Sequence, residues 1–487
     1  MKKSVRILLV MVGLLLLLWS GGVLWFQWRY PPEKWDWSKI DTDDLAFPSA
    51  FLWGTATSAY QVEGGNTNSQ WYMWEHERDE KGDPRILNGD TCGMACDSWH
   101  LYPLDIRLMK HLGLNAYRFS VEWSKIEPRE GVFDEEVIRH YQKMCDSLLA
   151  AGIEPVVTLH HVTNPLWFER KGAWEKEENI SDFLVFVEKI VRALGNRVRF
   201  YCTINEPAVY AMESYFSGAF PPGKKDPVLT ALVLRNLLMA HVRTYRLIKS
   251  LPGGREKMVG IVKNITPVDP ASRWSLADWL FSRLSDRAFN GVTLDFLRTG
   301  HYRFYMPGMA SLRYDDPDAP GSLDFFGLNY YSHYVYRFSL DLEKAFEPVI
   351  PEGEVMTDME YTIYPEGFYR ALWQASTLGV PVIVTENGIA DDRDDRRDMF
   401  IRRHLYALSR AMKEGCDVCG YFYWSLMDNF EWAEGYSKKF GLYAMDPATR
   451  VRTLRPGARV YGEIVKRFSS ASPTKGEKGK HVVINCD

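Results

Sequence analysis

Residues 198–207 read VRFYCTINEP and residues 382–388 read VIVTENG. Each is a short run rich in β-branched and aromatic residues that closes on Asn and Glu, with Pro207 or Gly388 beside the pair as a breaker. Runs of this length without polar alternation suit strands buried on both faces, the condition of a parallel sheet. Similar runs recur at Leu52–Ser58, Ala116–Ser120, Ile153–Leu159, Val259–Asn264, Phe325–Asn329 and Gly420–Ser425, making eight with Val198–Ile204 and Val382–Thr385. Helix-period patterns lie between them, as at Asp105, Ile106, Leu108, Met109 and Leu112, or Phe183, Phe186, Val187 and Ile190. Strands alternating with helices predict an α/β fold, and eight repeats close into a (β/α)₈ TIM barrel. The 487 residues therefore read as one large domain over 47–470 rather than two or three.

With 59 Lys+Arg against 63 Asp+Glu, the chain lacks the basic field that a phosphate backbone needs, which argues against nucleic acid as a partner. Its seven cysteines are too few and too odd in number for a disulfide-built scaffold. Cys416 and Cys419 form a C-x-x-C with no second pair, so no metal site is expected, and no cofactor. Cys92 and Cys96 lie close enough in a Gly-containing loop to bridge in an oxidising compartment. The charge run Asp391–Asp398 reads as a solvated loop.

From Ile7 to Trp28 no residue is charged, and Lys2, Lys3 and Arg6 precede the run. At 1.5 Å per residue it is long enough to cross about 30 Å of hydrocarbon. The apolar residues continue past Ser20, Gly21 and Gly22, unlike a short signal-peptide core before a cleavage site. Residues 1–28 are thus expected to be a single-pass anchor, with the large domain on the non-cytoplasmic side by the positive-inside bias. Residues 29–46 read as a polar linker and 471–487 as a polar tail. Oligomeric state is not encoded in any pattern found.

In a barrel of this kind the working groups sit at the C-terminal ends of strands, where Glu206 and Glu386 close the fourth and seventh runs. Cleaving a glycosidic bond needs one carboxylic acid to protonate the leaving oxygen and one carboxylate to attack, or to activate water, at the anomeric carbon. For a retaining displacement the two carboxyl groups should lie about 5 to 5.5 Å apart. His160 and His161 are neighbours on one strand and point to opposite faces, so they are not a chelating pair.

Between Phe47 and Val465 the chain resembles the family-one β-glycosidases. The matches are Phe51, Trp53, Gly54, Ala56, Thr57, Ser58, Tyr60, Gln61, Glu63 and Gly64; Tyr117–Ser120; Thr158–His161; Asn205–Pro207; Phe325–Tyr331; Thr385–Gly388; and Trp424–Trp432. The resemblance implies a retaining two-step displacement with Glu206 as acid/base and Glu386 as nucleophile. It also implies that Gln61, His161, Asn205 and Glu431 bind the hydroxyls of a β-linked sugar. Arg118 and Tyr331 would hold the nucleophile, Trp432 would contact the first sugar, and Trp424 would form a platform nearer the leaving group.

Two departures bear on substrate. Val162 stands where the family usually has Trp, which removes a stacking wall and leaves the preferred epimer open. Members acting on 6-phosphosugars have Ser in place of Glu431, and a carboxylate there repels a phosphate despite Lys438; Phe440 also departs from their Tyr. A membrane-associated transglycosylase shares the same covalent intermediate and is the first alternative to hydrolysis. A non-catalytic sugar-binding protein is the second, opposed by the presence of both glutamates.

Overall fold

The computed structural model describes residues 3–341, 344 and 346–469. The tail 471–487, with Cys486, lies outside the described residues. Eight parallel strands close the barrel: β1 (Leu52–Ala56), β2 (Ala116–Ser120), β3 (Glu154–His160), β4 (Phe200–Asn205), β5 (Met258–Asn264), β6 (Phe325–Tyr330), β7 (Val382–Asn387) and β8 (Val418–Trp424). Neighbours pair in chain order, and β1 pairs with β8 to complete the circle. All eight apolar runs of the sequence are the strands of this barrel, as expected of a TIM fold.

Side chains alternate across each strand. Leu52, Val156, Phe200, Val262, Ile383 and Phe422 fill the barrel, whereas Val157, Tyr201, Ile261, Val384 and Tyr421 face the helices outside. The outer layer includes α1 (Lys3–Arg29), which projects from it, α2 (Ser98–Leu112), α3 (Glu135–Ala150), α4 (Ile180–Leu194), α5 (Pro227–Ser250), α6 (Leu276–Asp286), α7 (Val292–Thr299), α8 (Pro365–Ser376), α9 (Arg397–Lys413) and α10 (Arg459–Ser469). Helix α4 forms because Phe183, Phe186, Val187 and Ile190 repeat on one face, and all four are buried. Asp134 and Asp226 each accept from two backbone N–H groups in the first turns of α3 and α5, satisfying donors that helix starts leave over.

Beyond α1 the chain does not hang free. Trp35 packs on Tyr369 and Tyr406, Tyr364 donates to the Glu33 carbonyl, and Leu45 is buried. The helix α1 itself is exposed along most of its length and packs only its last turns, through Val23 and Phe26, against α6.

Two expectations need correction. Within Asp391–Asp398 the charges at 392, 393, 395 and 398 are solvent-exposed, but Asp391 and Arg397 are both 0 % exposed. Arg397 donates to the carbonyls of Ile389, Asp391, Lys439 and Phe440, to the Tyr423 hydroxyl and to Asp394. Asp391 accepts from the backbone N–H groups of Arg396 and Arg397 and from the Arg396 guanidinium. A buried charge is tolerable when every donor is matched, and these partners come from three separate segments. Arg397→Met is therefore expected to lower unfolding free energy by about 3 to 5 kcal/mol, measured by urea denaturation. The thiols of Cys92 and Cys96 are the second correction: both are free, and each donates to its own carbonyl acceptor, Tyr60 or Asp428.

Candidate active site

Glu206 and Glu386 come to the C-terminal mouth of the barrel, one just past β4 and the other the penultimate residue of β7. Backbone chemistry places them there. Glu206 sits in the left-handed region at φ 48°, ψ 57°, ahead of Pro207, which opens the next helix. Its N–H is held by the Val262 carbonyl of β5. A non-glycine residue in that region is strained, and strain of this sort concentrates at functional sites. On the other side, Gly388 lets the chain pass β8, because a Cβ there would fall 1.8 Å from the Trp424 carbonyl oxygen.

The surroundings of the two carboxyl groups differ. Arg118, itself 1 % exposed, donates to Glu386 Oε1 at 2.6 Å, and the Tyr331 hydroxyl donates to Oε2 at 2.7 Å. Arg118 is fixed in turn by Thr158 (3.0 Å) and Asn205 Oδ1 (2.7 Å). Glu206 receives one neutral donor, Asn329 Nδ2 at 2.8 Å, whose amide oxygen is set by Thr385 at 2.6 Å. Burial, and then the charge of Glu386, push the Glu206 carboxyl up to about 7, against the pull of Asn329, Lys263 and Arg118. Glu386 is thus gripped by a cation and a phenol, whereas Glu206 keeps its proton up to about pH 7.

Around this pair stand the remaining candidates. His161 accepts from Asn205 Nδ2 at 3.2 Å through one ring nitrogen, and its buried Nδ1 finds no partner among the described residues. Burial and the nearby Arg118 hold its imidazole neutral. Rings of Trp424 and Trp432 lie roughly parallel to that imidazole, at 5.9 and 6.1 Å. Glu431 is pushed up to about 8, by burial first and then by Glu386. Gln61 is 0 % exposed and its amide is engaged by Ser58, Asn429 and the Phe430 carbonyl, so it braces the loop that carries Glu431. His160 is a core histidine, bonded to Asn164 at 2.9 Å and enclosed by Trp174, Phe183 and Tyr210. Lys438 is occupied by the Asp358 carbonyl and Glu434, which leaves it poorly placed for a phosphate.

Val162 is buried with φ 70°, a conformation unusual for a β-branched residue, and its carbonyl accepts from Gln70. A cavity of about 230 Å³ lies among the loops after β6, between His333, Tyr334, Val335, Met359, Glu360 and Tyr361. Asn329 and Lys263 were not singled out from sequence. Lys263 is fully buried on the outer face of β5, against the Phe289 ring, with its pKa lowered to about 7 by burial. Its position one residue after Val262, whose carbonyl holds Glu206, is visible only once the strands are paired.

A sequence model of glycosyl hydrolase family 1 matches residues 44–469. The chain belongs to that family. Beta-glucosidase A of Thermotoga maritima is 33% identical over 447 residues, covering 86% of this chain and 98% of that protein. Among solved structures, a beta-glycosidase from Pyrococcus horikoshii is 40% identical, with a TM-score of 0.78, covering 87% of this chain and 96% of its own. The Thermotoga maritima β-glucosidase in complex with deoxynojirimycin gives a TM-score of 0.78 at 31% identity, covering 87% and 99%. This family-1 chain is a β-glucosidase-like O-glycoside hydrolase. Relatives named as glucosidases and glucan glucohydrolases favour hydrolysis over sugar transfer or sugar binding alone.

Proposed function

We propose that this glycosidase removes the terminal non-reducing sugar from β-D-glucosides with retention of configuration, Glu386 attacking the anomeric carbon and Glu206 acting first as acid and then as base. The observation that carries the reading is the asymmetry of the two carboxyl environments: Arg118 and Tyr331 on Glu386, burial and a single amide on Glu206. Protonation of the leaving oxygen by Glu206 accompanies formation of a glycosyl ester at Glu386. Glu206 then deprotonates the water that releases the sugar. Gln61, His161, Asn205 and Glu431 are assigned to the sugar hydroxyls, with Trp432 against the first ring and Trp424 toward the leaving group. The free Nδ1 of His161 supports its part, since a buried donor without a partner is costly until a hydroxyl arrives.

Aryl β-glucoside, galactoside, mannoside and fucoside hydrolysis by the purified protein, with proton NMR of the first product, tests this. The β-anomer of glucose should appear before mutarotation, and the glucoside should have the highest kcat/KM. An α-anomer formed first would overturn retention. Deoxynojirimycin, bound in a relative, is expected to inhibit competitively.

The proposed organisation is an anchor at 1–28, a linker at 29–46, one catalytic domain at 47–470 and a tail at 471–487. Supporting the anchor, α1 is 27 residues long with a mean hydropathy of 2.6 in its most apolar window, only 6% of it buried. Expressed cells should retain the activity in membranes through an alkaline carbonate wash and release it in detergent. Release by carbonate alone would remove the anchor.

A further inference from the structure

The end of α1 is bound to α6 by specific contacts. Phe26 stacks on Trp279 at 5.3 Å, Gln27 Nε2 donates to the Arg273 carbonyl at 2.9 Å, and Arg273 donates to the Tyr30 carbonyl at 2.5 Å. Gly22 lies so close to α6 that a Cβ on it would be 3.1 Å from Leu276 Cδ1. These contacts fix the depth of α6 relative to the apolar helix.

About 30 Å of hydrocarbon needs about 20 residues of helix, so a span that starts after Arg6 ends near Phe26. Gly22 is four residues, or about 6 Å, inside that limit. The face of α6 that meets solvent is correspondingly apolar. Leu280 is 50% exposed and Leu284 37%, on the side opposite the buried Asp278, Trp279 and Ser282. Just ahead of the helix Trp274 is 65% exposed. Isolated exposed leucines are ordinary, but a one-sided row beside an apolar span, preceded by an exposed tryptophan, has the composition of an interfacial helix. Arg29 and Arg287 are exposed at its margins, Arg29 over the Tyr30 ring and Arg287 3.8 Å from Asp295.

We propose that the exposed face of α6, with Trp274, Leu280 and Leu284, docks into the headgroup region of the same bilayer that α1 spans, so that the barrel lies against the membrane instead of swinging on a tether. This rests on the anchor reading of α1. Docking holds the catalytic mouth at one fixed orientation relative to the bilayer surface.

Full-length protein carrying one added cysteine, Leu15→Cys, Trp274→Cys, Leu280→Cys or Val228→Cys, is labelled with an environment-sensitive nitrobenzoxadiazole. It is then reconstituted in phosphatidylcholine nanodiscs with doxyl-labelled lipid, and labelling of the parent protein is subtracted. Val228, 60% exposed at the start of α5, is the solvent reference. Probes at 15, 274 and 280 are expected to be quenched about threefold or more relative to the probe at 228. If the probe at 15 is quenched while those at 274 and 280 match 228, docking is overturned and the span stands. If the probe at 15 also matches 228, the span itself is wrong and the docking falls with it. Retained aryl glucoside turnover establishes that each labelled protein is folded.

Discussion

Glu386→Gly is expected to lose aryl β-glucoside turnover by about four orders of magnitude or more, because Glu386 is the group that forms the glycosyl ester. The loss leaves a specific vacancy. Arg118 and the Tyr331 hydroxyl, which held the carboxylate at 2.6 and 2.7 Å, then face an empty space of carboxylate size with a positive wall. Azide fits such a space and approaches the anomeric carbon from the side the nucleophile used. Glu206 remains to protonate the leaving group, so azide should restore turnover and give the α-glucosyl azide, of inverted configuration. The variant also leaves Arg118 buried without its counter-charge, which costs about 3 to 5 kcal/mol of stability. Glu386→Gln, which keeps the shape, separates chemistry from folding when both variants are compared by thermal melting. Turnover by Glu386→Gln within tenfold of the parent, without azide, would remove Glu386 from the mechanism.

The barrel was legible because its strands are short, apolar on both faces and separated by amphipathic helices, a pattern that survives in a single sequence. Glu206 and Glu386 were legible for the same reason: each interrupts an apolar run where a strand ends. Asn329 was harder to single out. It lies within a matched run, but its hydrogen bonds to Glu206 and from Thr385 join β6 to residues 123 and 56 positions away. Lys263 points away from the barrel interior, and its influence on Glu206 passes through strand pairing that no local pattern records. The charge run around Arg397 was misread because charge density predicts solvation only when no neighbouring segment supplies acceptors. Here the backbone carbonyls of Ile389, Lys439 and Phe440 do so.

Glu206→Ala should separate the two halves of the reaction. With a dinitrophenyl β-glucoside the leaving group needs no proton, so ester formation at Glu386 continues, while the water that must break the ester has lost its base. The ester should accumulate, kcat should fall by about 10²- to 10⁴-fold, and KM should fall with it. Azide needs no base, and its addition should raise kcat and yield the β-glucosyl azide, opposite in configuration to the product of the Glu386 variant. The pH profile gives an independent reading. Glu206 is raised to about 7 by burial and by the charge of Glu386, so it is protonated below that pH and active as the acid there. Parent kcat/KM on a poor leaving group should therefore decline as pH rises through about 7, and that alkaline limb should vanish in Glu206→Ala. Lys263 titrates in the same range, so the observed value belongs to the coupled groups. Once Glu386 is esterified its charge is gone, and the main electrostatic support for the proton on Glu206 goes with it. The same residue then becomes the base that the second step requires. An alkaline limb that persists unchanged without Glu206 would assign the acid to another group.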